Sequence, residues 1–206
     1  MPERSARQSV EWGVATRCRR GEVTSGDRAV VAPVPEGTLV AGIDGLGHGI
    51  DAAHAARRAA AVVSERPTSD LVALVQRCHL ALRDTRGAAI SLAFVSCLEN
   101  TITWLGVGNV EGRVLSGDPA ATRPKGSLAL GRGLPGHELP TMAPAILEVR
   151  PGDLLVLASD GIAAAFADSL DTSGSPQSIS ERILAEHWKQ SDDALVVAVR
   201  YLGARS

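Results

Sequence analysis

Apolar residues in this chain fall mostly into short runs, and only three stretches carry them at helical spacing. The runs at 13–19, 29–33, 39–43, 90–98, 101–107, 113–115, 145–149, 154–158 and 195–201 read as strands. Several are apolar at nearly every position, as expected of strands covered on the inner face and partly on the other. Glu99-Asn100, between two of them, reads as a tight hairpin turn. An Ala-rich stretch from Asp51 to Ser64, stopped by Pro67, reads as a first helix. Ser69-Asp70 caps a second, with Leu71, Leu74, Val75, Cys78 and Leu82 on one face and Gly87 at its end. A third opens at Ser178 or Ser180 and carries Ile179, Ile183, Leu184 and Trp188 as a stripe. Strands that follow one another without a helix between them argue for antiparallel sheet, hence an α+β fold rather than a doubly wound one. The polar stretches 116–127 and 171–178 read as loops, and no repeat or long linker divides the chain.

Composition narrows the functional classes. The length of 206 residues suits one domain, taken here as residues 1–206. Aromatics are only 3% of the chain, so the core is aliphatic and stacking platforms for single-stranded nucleic acid are lacking. A net charge of −2 gives no field that would gather DNA or an acidic membrane. No apolar run is long enough to span a bilayer and none resembles a leader, so a cytoplasmic location is expected. Cys18, Cys78 and Cys97 lack CxxC spacing and read as reduced, buried thiols. The N-terminal arginines, Arg4, Arg7, Arg17, Arg19 and Arg20, read either as a solvated edge or as a patch that steers phosphate or docks a partner.

The chemistry-bearing pattern is a set of carboxylates at strand ends. Asp44-Gly45 follows the apolar run 39–43, and the glycines at 45, 47 and 49 let backbone approach an ion or phosphate before a helix begins. Asp160-Gly161 repeats the arrangement after 152–159 and precedes a short Ala-rich helical stretch. Asp192-Asp193 stands directly before the last apolar strand. Such aspartates either cap turns or, if they converge, repel one another until a hard divalent cation or bound protons relieve the charge. Ser25-Gly26-Asp27 offers a further carboxylate; the same tripeptide at Ser116-Gly117-Asp118 reads as a plain turn. There is no Walker A, GxSxG or dinucleotide fingerprint, and no two histidines have zinc-ligand spacing.

These segments, taken with Gly106-Val107-Gly108-Asn109, Leu128-Ala129-Leu130-Gly131 and the string from Pro151 to Gly161, come in a recognisable order. The chain resembles the PP2C-type serine/threonine phosphatases, in particular the short bacterial SpoIIE/RsbX branch. The resemblance implies an α/β/β/α sandwich of two mainly antiparallel sheets flanked by helices. It also implies a pair of Mn2+ or Mg2+ ions held by Asp27, Asp44, the Gly45 carbonyl, Asp160 and Asp192, with Asp44 shared between them. Catalysis would fall to Asp44 and Asp160, with water attacking phosphorus and no phosphoenzyme formed. His48 would serve either as a structural neighbour of the site or as its proton donor. The implied partners are phosphorylated proteins, in particular STAS-domain proteins of a stressosome or partner-switching module. Eukaryotic-type members clamp phosphate with an arginine shortly before the early acidic residue. Here Glu22 stands in that region, leaving Arg17, Arg19, Arg20 and Arg28 as candidates. That departure keeps a second reading open, a pseudophosphatase that binds partners without turnover.

Overall fold

Two sheets stacked face to face carry helices on their outer sides. The computed structural model describes residues 9–118, 121, 124–168 and 170–203. In chain order the elements are β1 (Val10–Arg17), β2 (Asp27–Val34), β3 (Gly37–Gly45), α1 (Gly49–Glu65), α2 (Leu71–Leu82), β4 (Ala88–Ser96), β5 (Thr101–Val107) and β6 (Glu111–Leu115). They continue with β7 (Gly126–Ser127), β8 (Leu130–Gly131), β9 (Ala145–Glu148), β10 (Leu154–Ala158), α3 (Pro176–His187) and β11 (Ala194–Tyr201). One sheet has the order β1-β11-β10-β6-β7 and is antiparallel throughout. The other runs β2-β3-β4-β5, and the outer edge of β5 is shared by antiparallel β9 and parallel β8. This is the α+β sandwich expected from the sequence.

Three apolar layers hold the stack together, and strict alternation along the strands feeds them. Leu39, Ala41 and Ile43 of β3 face the layer beneath α1 and α2, where Ala55, Ala59, Leu74 and Cys78 meet them. Val40 turns the other way, into the layer between the sheets. On β11, Leu195, Val197 and Val199 fill that central layer while Ala194, Val196 and Ala198 pack under α3 with Ile179 and Ile183. Both faces of the central strands are therefore covered, which is why all nine residues of β4 are buried and why the runs lack polar alternation. Close backbone approaches require glycine at several points, Gly13 and Gly45 among them. A Cβ on Gly13 would lie 2.3 Å from the Gln177 backbone of α3, and one on Gly45 would lie 2.1 Å from the Ala52 carbonyl of α1.

Several local expectations are corrected. Helix α3 starts at Pro176 under a Ser175 cap, whose side chain accepts from the Ser178 N–H, rather than at Ser178 or Ser180; a proline in the first turn lacks only a donor that would be unpaired anyway. Trp188 follows the helix in extended conformation. Helix α2 ends at Leu82, so Gly87, with φ of 80°, serves the entry into β4 instead of the helix end. The Ala-rich stretch after Gly161 forms only a 3-10 turn, Ala164–Ala167. Strands β7 and β8 lie in and just beyond the stretch read as a loop, each too short to show alternation; residues 119, 120, 122 and 123 of that loop, like Arg4 and Arg7, lie outside the described residues. Of the cysteines only Cys78 is buried, its thiol pushed up to about 12 by desolvation, while Cys18 and Cys97 are partly exposed. Among the described residues no helix is long and apolar enough to cross a membrane.

Candidate active site

The carboxylates singled out in the sequence gather at one end of the sandwich, where strands of both sheets finish or begin. Asp27 opens β2 and Asp44 nearly closes β3, and antiparallel pairing places them directly opposite each other. Asp160 follows β10, and Asp192 lies just before β11, which pairs with β10. The four feel one another electrostatically. Burial, then the charges of Asp27, Asp160 and Asp192, push the Asp44 carboxyl up to about 9. Asp27, only 2% exposed, is pushed up to about 7, by burial first and then by Asp193 and Asp160, against the lowering effect of its Ser159 hydrogen bond. Asp192 is raised too, chiefly by burial, with Asp160 and Asp193 adding and Arg19 opposing.

Each side chain is fixed by specific neighbours. The Ser159 hydroxyl donates to Asp27 Oδ2 at 2.7 Å and accepts the Leu195 N–H at 2.9 Å, tying β2 to the β10–β11 pair. Asn109 Nδ2 donates to Asp160 Oδ2 at 2.7 Å, and Lys189 Nζ donates to the Asp160 carbonyl at 2.6 Å. Trp188 Nε1 donates to the Asp192 carbonyl at 3.0 Å, with Arg17 stacked 5.0 Å from the Trp188 ring centroid. Gly45 is buried, and its N–H donates to the Gly26 carbonyl at 3.0 Å.

Asp193, the neighbour that the family resemblance leaves out of the ligand set, has a distinct place. It is 3% exposed, and its carboxylate accepts the N–H groups of Arg19 at 2.8 Å and Gly26 at 2.7 Å. It thus fastens the loop that delivers Asp27 to the strand that delivers Asp192. His48 is not packed among the carboxylates. It caps the N-terminus of α1 by position, and its Nδ1 lies 2.9 Å from Glu22 Oε1, with the imidazole side chain 49% exposed.

The candidate phosphate-clamping arginines are variously engaged. Arg17 covers Trp188, and Arg28 donates to the backbone carbonyls of Ser25 and Asp27. Arg19 lies close enough to Asp192 to act on its charge. Sequence reasoning missed Arg86, which precedes β4. Its guanidinium lies 3.1 Å from where a Gly47 Cβ would stand and pairs with Asp51 at 2.6 Å. Nothing in the one-dimensional pattern marks it, since the turn after α2 reaches the glycine loop only through sheet pairing of Gly45 with Ala88.

Among the described residues no three His, Cys, Asp or Glu side chains form a ready-made metal cage. None of Asp27, Asp44, Asp160 and Asp192 is in an ion pair with a Lys, Arg or His side chain there. What the cluster offers is an all-oxygen, acidic donor set whose neighbouring protein cations, Arg19 and Lys189 among them, form no ion pair with its carboxylates. That chemistry suits hard divalent ions, which keep several waters and need few protein ligands.

Comparison with known proteins places this geometry. The family model of Stage II sporulation protein E (SpoIIE) matches residues 35–202. A solved structure from work on "The bacterial stressosome: a modular system that has been adapted to control secondary messenger signaling" is 31% identical, with TM-score 0.84, over 94% of this chain and 100% of that one. RsbX, solved in complex with magnesium, is 18% identical with TM-score 0.77, covering 93% of this chain and 94% of its own. The Mycobacterium tuberculosis serine/threonine phosphatase PstP/Ppp is 17% identical with TM-score 0.68, covering 94% and 99%. No curated protein matches significantly in sequence. The chain belongs to the SpoIIE family of PP2C-type serine/threonine protein phosphatases.

Proposed function

We propose that this phosphatase is metal-dependent, with Asp27, Asp44, the Gly45 carbonyl, Asp160 and Asp192 as the residues that would hold Mn2+ or Mg2+, in two ions. The observation that carries the reading is the convergence of carboxylates on Asp44. When bound, the ions supply an activated water and neutralise the phosphoryl oxygens. The chain's own part is orientation. Asn109 holds one Asp160 oxygen and leaves the other available, and Ser159 holds Asp27 against Asp44. The Glu22 contact occupies His48 Nδ1, which leaves Nε2 as the ring nitrogen open to the departing seryl or threonyl oxygen if His48 serves as proton donor rather than as a structural neighbour. Asp27 and Asp44, held opposite each other by strand pairing, need little rearrangement during the reaction, as electrostatic preorganisation requires.

The substrates proposed are phosphorylated proteins, specifically STAS-domain proteins of a stressosome or partner-switching module, acted on in the cytoplasm by a single domain spanning residues 1–206. Support comes from the 31% identical structure described with the bacterial stressosome and from likeness in fold to RsbX. Hydrolysis of p-nitrophenyl phosphate with and without Mn2+ tests the site. Asp44→Asn and Asp160→Asn are each expected to lower kcat by about a hundredfold or more, the scale of losing one strong electrostatic element of an active site. Calorimetric titration with Mn2+ should show loss of binding in the same variants. Unchanged turnover in both would reject the assignment.

A further inference from the structure

The rim of the carboxylate cluster carries apolar side chains that the fold does not use. Val23 is 95% exposed, Leu46 51% and Ile50 77%, three of the seven large hydrophobic residues exposed among those described. Leu46, in the loop that leaves Asp44-Gly45, and Ile50, in the first turn of α1, flank His48, and Val23 adjoins Glu22. The Glu22–His48 contact of 2.9 Å, with the Glu22 carboxylate also 3.5 Å from where a Gly49 Cβ would stand, draws the Val23 segment against that loop. Arg86 lies over Gly47 on the same loop.

We propose that this lip is the docking surface for the protein substrate. It receives a segment with an apolar side chain next to its phosphoserine or phosphothreonine. The inference rests on the phosphatase site proposed above and names what that site admits. Single exposed apolar residues are ordinary on protein surfaces, but several at the mouth of a reaction centre mark a contact face. Charge complementarity selects the occupant. The substrate phosphate is a dianion, and Arg86 puts a guanidinium of opposite sign, itself half-exposed, at the lip of a cluster that is otherwise acidic. Its pairing with Asp51 is between two exposed groups, a kind of contact worth about 0–1 kcal/mol, so the guanidinium turns toward a phosphorylated segment at small cost. Arginine suits that task through its planar, forked donors.

The test uses two peptides that carry a non-hydrolysable phosphonate analogue of phosphoserine, one flanked by leucine and one by serine. Binding is read by fluorescence anisotropy in the presence of Mn2+, and p-nitrophenyl phosphate turnover is measured alongside. Wild-type protein should bind the leucine-flanked peptide about tenfold tighter, the size expected for burying one aliphatic side chain. A Val23→Ser, Ile50→Ser double variant should lose that preference while p-nitrophenyl phosphate turnover stays within about twofold, the small ester being too short to reach the lip. Arg86→Gln should weaken both peptides alike, by about threefold to tenfold, as for loss of a charge-assisted contact. Equal affinity for the two peptides in wild type, or a preference that survives the double variant, overturns the proposal. So does a double variant that changes only the sedimentation coefficient, since the lip would then be a face between copies of this chain. If wild type turns over no p-nitrophenyl phosphate yet keeps the peptide preference, the catalytic reading fails and the docking lip stands.

Discussion

Replacing Asp193 separates the roles of two adjacent aspartates. Its carboxylate accepts two backbone N–H groups, from Arg19 and Gly26, while almost fully buried. In Asp193→Ala both donors lose their partner and water has little access to replace it. Hydrogen bonds to a charged acceptor contribute about 1.5–3 kcal/mol each. Against that loss stands the removal of a buried negative charge that acts on Asp27. The net expectation is a destabilisation of about 2–4 kcal/mol. Asp193→Asn should recover only part of it, because one amide oxygen can satisfy one N–H while the amide NH2 faces the other donor; about 1–3 kcal/mol should remain lost. Asp192→Asn should cost about 1 kcal/mol or less, since the only hydrogen bond shown to its carboxylate comes from the Asp193 N–H and the group is partly exposed.

Urea unfolding of metal-free protein at neutral pH, followed by tryptophan fluorescence, measures these differences as shifts in midpoint at constant m. Mn2+ titration then reads the complementary property: Asp192→Asn should lose affinity, and Asp193→Asn should keep most of it wherever the protein remains folded. An Asp193→Ala loss below about 0.5 kcal/mol, the scatter of ordinary surface substitutions, would refute the girder role. A larger effect of Asp193→Asn than of Asp192→Asn on Mn2+ affinity would exchange the roles of the two residues.

Two further outcomes follow from the site's construction. Gly45→Ala puts a Cβ 2.1 Å from the Ala52 carbonyl, a backbone atom that can yield only if α1 moves off β3; a loss of about 3 kcal/mol or more is expected in urea, with Mn2+ affinity falling as the loop after Asp44 shifts. In the metal-free protein the Asp44 and Asp27 carboxyls sit at about 9 and about 7 against 3.8 for the unfolded chain. The folded state then holds more protons between those values, so stability is fully present below pH 4 as far as this pair is concerned and falls as pH rises through 7 and 9. Unfolding midpoints across that range should decline without divalent ion and flatten with it; a rise in the metal-free series would contradict the crowded-carboxylate account.

The architecture was readable because strand and helix signals differ in period and the strands are long. Runs such as 101–107 and 154–158 coincide with β5 and β10 residue for residue, and the all-apolar run 154–158 is buried at every position, beyond the partial cover expected of its outer face. Where signals are short they fail: two-residue strands β7 and β8 carry no alternation, and the helical pattern after Gly161 shrinks to one 3-10 turn.

For the candidate site, sequence showed which carboxylates could matter but not how they divide the work. Asp192 and Asp193 are the same residue type one position apart just before β11, yet their carboxylates meet different surroundings. One carboxylate is left partly open beside Asp160, while the other is driven inward onto the Arg19 and Gly26 N–H groups. That partition depends on where the β1–β2 loop crosses the start of the last strand, a contact between residues more than 160 positions apart. Arg86 makes the same point from the other direction. Its neighbour Gly47 lies 39 positions earlier, and only the antiparallel register of β3 with β4 brings the turn after α2 over the glycine loop. A motif can announce a donor set, because donor chemistry is carried by residue type. It cannot announce the girders and cations supplied by other elements, because their place is set by register, which is a property of the packed sheets.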